Sequence, residues 1–479
     1  AMLYRDTSDP DNPHGGAMYV IRRGFGDVVG GWAKPVSWII GAIFCVTLLI
    51  STMTGGNMFQ VWNVANITNE YFGVPQIVTG VLLATIAGLV IIGGIKRIGS
   101  VAGRLVPLMC GIYLVAGLVV LALNLTVVPE MLLLIIRDAF SPTEASGAFL
   151  GATVWYGLST GLRRALFSNE AGQGSSPIAH SAAKTDEPVR EGVVAGLEPF
   201  IDTCLVCTLT ALVILVTGTW NREAAGTIQL GQPLTLATVT ETGDDGESVD
   251  VTRVPSTVRI EDLPELSDDT WLEGNGLFML AETTDNDIDT GTNRVKIAGT
   301  VVAAEEGGPN WEEGDLIVAW ESGPAGATLV DQSVYRDFVG ASLTGHAFDR
   351  AIPGLGMYLV TLACWLFAIS TMISWSYYGE QGAIFLFGTW SVLPYKLVFC
   401  ALAIVASLPG FIETDTQLGA LADLGTGCML FANVPIIVFM APRAIAAFRD
   451  YFGRLKSGTM DPPHAPPPIE DVVEGRDIT

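Results

Sequence analysis

The feature that most constrains this chain is a series of apolar runs, each long enough to cross a lipid bilayer. About 20 apolar residues suffice for one helical crossing. The runs are continuously apolar rather than alternating, which excludes an outer-membrane barrel. Only 15% of the residues are charged, against roughly 25% in soluble domains. The sequence therefore predicts an all-α polytopic membrane protein. Its candidate spans lie roughly at 36–66, 74–95, 104–125, 148–166 continuing to about 186, 190–218, 354–379, 393–411 and 417–447.

One segment between these runs has a different composition. Residues 221–340 hold 24 of the 49 acidic residues and 6 of the 25 basic ones, so −18 of the net charge of −24 lies there. Such an acidic surface argues against nucleic acid as a partner. Short β-branched stretches between Gly- and Asp-rich turns, at Arg294–Ala303 and Leu316–Trp320, predict strands. We therefore expect a small, β-rich insertion.

The distribution of Lys and Arg predicts the orientation. Basic residues cluster before the first run, after the second, at Lys184 and Arg190, and after the last. The alternate connections have few or none. Positive residues near span ends mark the cytoplasmic side. We therefore expect a multi-pass protein of the cell membrane with both chain ends cytoplasmic and the insertion extracellular. The expected domains are membrane helices at 1–220, the insertion at 221–345, membrane helices at 346–456 and a disordered cytoplasmic tail at 457–479.

The stretch from Phe167 to Pro177 interrupts an apolar region with two Gly, three Ser and a Pro. These residues break helices or bond the backbone locally. Irregular backbone at membrane depth survives where it is buried in protein or lines a cavity. A broken helix there would present free amides and carbonyls to a carboxylate and a cation. The alternative is an extramembrane loop joining two helices. Within the stretch, Glu170 would either carry a proton or hold the break by accepting backbone amides.

Four stretches carry a family resemblance: Gly161–His180, Gly55–Gln60, Gly93–Ile98 and Phe367–Glu380. The first looks like the signature of the alanine or glycine:cation symporter family, and the others agree with it. The resemblance implies a leucine-transporter-like bundle of two inverted five-helix repeats, with the runs as its third to tenth core helices. It also implies sodium-coupled import of a small neutral amino acid. An enzyme and an organic cofactor are not expected.

Two departures from the family pattern stand out. The family's N-terminal extra helix and first two core helices, with their Gly-Thr-Gly-Asn motif for substrate and sodium, have no counterpart in this sequence. The acidic insertion is much longer than the resemblance predicts. We therefore expect an N-terminally truncated transporter that does not transport unaided.

The resemblance also implies site residues. Substrate is expected at Gln60, Phe167, Ser168, Asn169, Gly172 and Trp375. Sodium is expected at the carbonyl of Phe367 and the hydroxyls of Ser370 and Thr371. Asp202 is a further candidate cation ligand on a different ground, because a carboxylate within an apolar run is a functional candidate by default.

The residues alone leave alternatives at these positions. Gln60, with Asn57 and Asn63, could bond neighbouring helices, and Trp375 could serve packing. Ser370 and Thr371 could bond the i−4 carbonyl, and Asp202 could cap its helix.

Two other functions stay open. One is coupling to protons through Glu170 or Asp202, and the other is a membrane-anchored binding or sensor protein that uses the outer domain. The G-x-S-x-G match at Gly157–Gly161 is rejected as a hydrolase motif because it lies in an apolar helix rather than a strand-to-helix turn.

Overall fold

A computed structural model of the chain describes most of the sequence, and the following statements concern those parts. They are residues 1–8, 13–140, 154–230, 234–242, 248–255, 257–266, 270–286, 292–305, 307, 311–338, 340–412 and 415–460. The start of the expected fourth span, at 148–153, and nearly all of the expected tail lie outside the described residues.

Helices occupy the chain on both sides of a segment of strands. Most of them coincide with the apolar runs, where long uncharged stretches satisfy their backbone hydrogen bonds internally. They are α1 (Ala17–Tyr19), α2 (Gly26–Val29), α3 (Lys34–Met53), α4 (Phe59–Phe72), α5 (Gln76–Ile91), α6 (Gly94–Leu123), α7 (Val128–Ala139), α8 (Val154–Asn169), α9 (Ser176–Ser181), α10 (Pro188–Pro199), α11 (Thr208–Val216), α12 (Ala341–Ala351), α13 (Leu355–Phe387), α14 (Val392–Val405) and α15 (Asp415–Ser457).

Three π-helical segments lie between these helices, at Val20–Phe25, Thr54–Met58 and Phe200–Cys207. The second joins α3 to α4 into one helix over Lys34–Phe72, and the third joins α10 to α11 over Pro188–Val216. A π-turn adds a residue to the helical repeat and changes the direction of the side chains that follow, and such turns are frequent at functional sites.

Five helices of the described chain are long and apolar enough to cross a bilayer, namely Lys34–Phe72, Gly94–Leu123, Pro188–Val216, Leu355–Phe387 and Gln417–Ser457. Two shorter apolar helices accompany them, at Gln76–Ile91 and Thr389–Val405. The outer surfaces of these helices are strongly apolar: Leu108 is 57% exposed and Phe431 86% exposed. Contiguous apolar surface of this kind is rare on soluble proteins, so it is suited to contact lipid.

Helix α13 lies at the centre of the bundle and contacts α3, α4, α5, α6 and α14. Small residues allow close approach at these contacts. A Cβ atom at Gly56 would lie 2.5 Å from the Cβ of Trp375 on α13. The same holds between α15 and α3, where a Cβ at Gly425 would lie 2.6 Å from the Cα of Ser51. The core between the helices includes Phe44, Leu48, Met372 and Phe399, all fully buried.

The segment between α11 and α12 forms two antiparallel sheets. The larger has the order β1-β8-β4-β5-β6, and the smaller has the order β2-β3-β7. Inward-facing residues of the larger sheet, including Leu277, Met279 and Val334, are fully buried in a core of their own. The strands are β1 (Gly226–Thr227), β2 (Ala237–Thr242), β3 (Ser248–Arg253), β4 (Gly276–Glu282), β5 (Arg294–Ala303), β6 (Leu316–Trp320), β7 (Gly323–Pro324) and β8 (Thr328–Asp337). Both predicted strands are confirmed, as β5 and β6.

Besides the short α1 and α2, two longer helices lie where the sequence predicted none. Helix α7 follows α6 and leaves Leu133 and Ile136 exposed. Helix α12 contains the expected domain boundary at residue 345. Its Phe348 is fully buried against Tyr113 of α6, with ring centroids 6.0 Å apart, so α12 packs on the helical bundle.

Candidate functional site

A break separates α8, which ends at Asn169, from α9, which begins at Ser176. The interruption was predicted from the Gly, Ser and Pro residues. Gly172 and Gly174 have φ values of 82° and 93°, and Glu170 also has a positive φ, of 55°. Left-handed backbone costs a non-Gly residue roughly 1–2 kcal/mol. The break is therefore a specific conformation that the surrounding contacts must stabilise.

The carboxylate of Glu170 supplies part of that stabilisation. It accepts a hydrogen bond from Ser175 Oγ at 2.7 Å. The backbone amide of Ser176 and the indole of Trp375 face the same carboxylate. The bond from Ser175 ties Glu170 to the other side of the break, so the Glu170 carboxylate helps to hold the break.

Two amide side chains satisfy carbonyls that the break leaves free. Gln173 Nε2 donates to the carbonyl of Leu166 in the last turn of α8. Asn433 Nδ2, on α15, donates to the carbonyl of Gly172 at 2.8 Å. The last carbonyls of a helix have no intrahelical partner, so these bonds brace the break from both sides.

Gln60, Phe167 and Trp375 lie around the glycine pair of the π-turn between α3 and α4. Gln60 Nε2 donates to the carbonyl of Gly55 at 3.1 Å. A Cβ at Gly55 would lie 3.0 Å from Phe167 Cε2, and Trp375 packs directly on Gly56. The break and the π-turn are thus brought together, with aromatic rings from α8 and α13 on the two glycines.

The neighbouring asparagines do not share this position. Asn57 is fully buried, and its Nδ2 donates to the carbonyl of Phe399 on α14 at 2.7 Å. Asn63 donates to the carbonyl of Phe59 in its own helix at 2.8 Å. For Asn57 the alternative of helix-to-helix bonding holds, because its side chain bonds the neighbouring helix α14. Asn57 lies in the π-helical segment Thr54–Met58, where the side-chain spacing of an α-helix does not apply.

Asp202 lies in the π-helical segment between α10 and α11, and its side chain contacts the last turn of α8. Ser168 Oγ lies 2.8 Å and 2.7 Å from the two carboxylate oxygens of Asp202. Asn169 Nδ2 donates to Thr203 Oγ1 at 2.9 Å. Because Asp202 lies inside the continuous helix Pro188–Val216, it does not cap that helix. The structure gathers two hydroxyls, an amide and a carboxylate beside the break.

Phe367 and Ser370 form a separate group on α13. Ser370 is buried, and its hydroxyl donates to the carbonyl of Phe367 at 2.9 Å and contacts Met109 Sδ of α6 at 3.6 Å. The hydroxyl therefore bonds the i−3 carbonyl, not the i−4 one. Thr371 follows on the same helix and is half-buried. Hydroxyl and carbonyl oxygens of this kind suit a hard cation.

The bundle contains a buried ion pair that was not predicted from the sequence. Lys396 Nζ of α14 lies 2.8 Å from Glu380 Oε2 of α13, with side chains 7% and 12% exposed. A charged residue within an apolar run is a signal that the sequence does contain, because charged side chains are costly in apolar helices. Pairing requires the packing of α13 on α14, which the sequence does not reveal.

A cavity of about 1070 Å³ opens elsewhere, near the start of the described chain. Its lining includes Tyr4, Arg22, Lys34 and Trp38, and no residue of the break. The predicted site residues therefore lie in contacts between helices rather than around this cavity.

A family model described as the sodium:alanine symporter family matches residues 1–248 and 324–465. The unmatched residues between these ranges all lie within the acidic segment.

Individual relatives match over most of the chain. An uncharacterized transporter from Haemophilus influenzae is 27% identical over 462 residues, which are 96% of this chain and 74% of the relative. A sodium/alanine symporter from Methanococcus maripaludis is 29% identical over 426 residues, 88% of this chain and 67% of that protein. A putative sodium/proton-dependent alanine carrier protein from Bacillus subtilis is 26% identical over 466 residues, 96% of this chain and 72% of that protein.

Proposed function

The chain belongs to the sodium:alanine symporter family, and we propose that it imports a small neutral amino acid, alanine or glycine, together with sodium. The family is one of transporters, and the apolar helices make the protein an integral membrane protein. The name of the Methanococcus maripaludis relative supports alanine and sodium for this chain. The proposed fold is the leucine-transporter-like bundle of inverted repeats, which the interrupted α8–α9 supports.

The observation that carries this proposal is the contact of the break with the Gly55–Gly56 turn. We assign the substrate to Gln60, Phe167, Ser168, Asn169, Gly172 and Trp375. The non-helical backbone between Asn169 and Ser176 would supply donors and acceptors for the charged ends of an amino acid, apart from groups already bonded, such as the Gly172 carbonyl held by Asn433. Phe167 and Trp375 pack closely against Gly55 and Gly56, and two rings so placed would restrict the substrate to a short side chain.

Two cation positions follow from the oxygen groups. Phe367, Ser370 and Thr371 offer a carbonyl and two hydroxyls on α13, and Asp202 with Ser168 offers a carboxylate and a hydroxyl beside the break. Sodium is a hard cation and prefers several oxygen ligands. The position next to the break would link ion binding directly to the backbone that holds substrate.

Proton coupling is the second candidate, because two relatives are named sodium/proton-dependent alanine carriers. Glu170 would be the proton carrier, since it lies in the break and bonds Ser175. Alanine uptake that follows a proton gradient and is indifferent to sodium would favour this candidate.

The test of the substrate site compares two tryptophans of α13 in the full-length protein. Trp375→Ala should weaken alanine binding by roughly 5- to 150-fold, because a lost pocket contact costs about 1–3 kcal/mol. Trp365→Ala is the matched control: its indole bonds Thr68 Oγ1 at 3.0 Å, away from the proposed site. Its alanine affinity should stay near that of the unchanged protein.

Gln60→Ala should weaken binding in the same way, with Gln76→Ala as control, since Gln76 bonds Asn66 at the other end of α4. Equilibrium binding of radiolabelled alanine to purified protein measures all four variants. Equal affinity in Trp375→Ala and Trp365→Ala, both correctly folded, would remove Trp375 from the site.

A further inference from the structure

A histidine on the half-helix α9 lies between two carboxylates of α10. His180 Nδ1 is 2.7 Å from Glu191 Oε1, a hydrogen-bonding distance. His180 Nε2 is 3.6 Å from Glu198 Oε2, within ion-pair range but too long for a direct hydrogen bond. Glu191 and Glu198 are two helical turns apart and therefore share one face of α10. None of the three belongs to the proposed substrate or sodium positions.

Glu198 holds α9 at its other end as well. Ser176 Oγ, at the first residue of α9, donates to Glu198 Oε2 at 2.8 Å. The side chains of His180 and Glu191 are 23% and 18% exposed and that of Glu198 is 41% exposed, so the cluster is partly shielded and water reaches it. The two carboxylates of α10 thus contact both ends of a helix only six residues long.

The protonation state of His180 decides how well these contacts fit. A neutral imidazole donates from one nitrogen only and would present a lone pair to the second carboxylate. An imidazolium donates from both nitrogens and supplies a positive charge between the two negative ones. The arrangement therefore suits the protonated ring.

The other charged groups around the cluster do not replace that positive charge. Glu170 lies across the break and repels Glu198. Tyr378, on α13, faces both of these carboxylates. Arg5 uses its guanidinium on the carbonyls of Ser181 and Ala183, at 3.0 Å and 2.6 Å.

On the far side of the loop after α9, Arg454 of α15 is committed to Glu187, in two hydrogen bonds of 2.7 Å and 3.0 Å. His180 is a cationic group that directly contacts both Glu191 and Glu198.

We propose that His180, Glu191 and Glu198 form a proton-binding site that latches α9 onto α10 when His180 is protonated. Acidification closes the latch and alkalinisation releases it, over the range of about pH 5–8 in which histidines titrate. The residue before α9, Ser175, bonds Glu170 of the break, so movement of α9 would change the conformation of the break. The latch thus gives the proposed transport cycle a proton-dependent step separate from the coupling ion. Only this last consequence rests on the proposed function.

The test measures the accessibility of α9 without using transport. A cysteine replacing Ser181, a fully buried residue of α9, is labelled with a thiol reagent in purified full-length protein, without substrate, between pH 5.5 and 8.5. The labelling rate is divided by that of a Ser457→Cys variant to remove the pH dependence of the thiol, after subtraction of the natural cysteines. We expect roughly tenfold slower relative labelling at low pH, because a charge-assisted hydrogen bond shifts the latched population by about that factor.

His180→Gln should abolish this pH dependence, since glutamine does not titrate. The matched control is His14→Gln: His14 is bonded to the uncharged Gln381 at 2.7 Å, so its loss should leave the pH dependence intact. If His180→Gln folds poorly, Glu198→Gln should instead move the transition to lower pH, because one of the carboxylates that favour the imidazolium is gone.

A pH dependence that persists unchanged in folded His180→Gln and Glu198→Gln overturns the latch, as does its absence from the unchanged protein. Normal pH-dependent labelling in a protein that moves no amino acid would leave the latch standing and remove the proposed function.

Discussion

The helical bundle and the strand segment expose opposite kinds of residue. In the bundle, apolar side chains such as Leu108 and Phe431 face outward, and polar side chains such as Ser370 and Asn57 are buried. In the strand segment, Leu277 and Met279 are fully buried, and half of the chain's acidic residues lie in this part of the sequence. One chain therefore meets two solvents, lipid and water. The difference teaches that a polar group inside the bundle requires a protein partner or a ligand, whereas one on the strand segment requires neither.

The largest effect expected from this comparison is in chemical labelling from outside the cell. We propose that the strand segment is extracellular and the end of α15 cytoplasmic, since basic residues follow α15 and the strand segment is acidic. Glu273→Cys, at an exposed loop position, should react with a membrane-impermeant thiol reagent in intact cells. Ser457→Cys should react only after the cells are opened. Labelling of Ser457→Cys alone in intact cells would reverse the orientation.

A second test places the same charge on the outer surface of each region. Leu108→Lys, in the middle of α6, should cost about 2.5–3.5 kcal/mol of membrane insertion and lower the amount of folded protein in the membrane. Val239→Lys, at a position 44% exposed on β2, should change stability by less than about 0.5 kcal/mol.

Quantitative blotting and size-exclusion profiles of both variants measure the difference, with Leu108→Ala as the control for loss of the leucine. Equal yields of the two lysine variants would contradict a lipid-facing surface on α6.

Much of the fold followed from the sequence because the two solvents leave different patterns. Continuous apolar runs predicted the long helices, and short β-branched stretches predicted β5 and β6 at their observed bounds. The π-turns at Thr54–Met58 and Phe200–Cys207 were not predicted, because an extra residue in a helical turn leaves no mark in composition. Helix α7 was missed because its apolar residues are interspersed with Glu130, Arg137 and Asp138.

The candidate site was predictable only in part. The Gly, Ser and Pro residues located the break, and polar residues within apolar runs indicated Gln60 and Asp202. The residues that contact the site residues could not be predicted from the sequence. Ser168 contacts Asp202, and Glu170 faces Trp375, only because the helices that carry them pack together. The same holds for His180, whose two carboxylates follow it in sequence at distances typical of no motif.

The smallest expected effect is a shift in the sodium dependence of alanine binding. Measuring alanine binding to the purified full-length protein across a sodium titration is also the most direct test of sodium-coupled binding at this site. Sodium should tighten alanine binding in the unchanged protein. The double change Ser370→Ala and Thr371→Ala should raise the sodium concentration required, because each hydroxyl lost removes a cation ligand. A loss of about 1–3 kcal/mol corresponds to roughly 5- to 150-fold.

Saturating sodium should largely restore alanine affinity in the double variant, by linkage between the two ligands. Ser376→Ala, on the same helix with its hydroxyl buried, should leave the sodium dependence unchanged. The account predicts a sodium-dependent alanine affinity that this double change shifts and Ser376→Ala does not. Alanine affinity that is the same with and without sodium in the unchanged protein would contradict it.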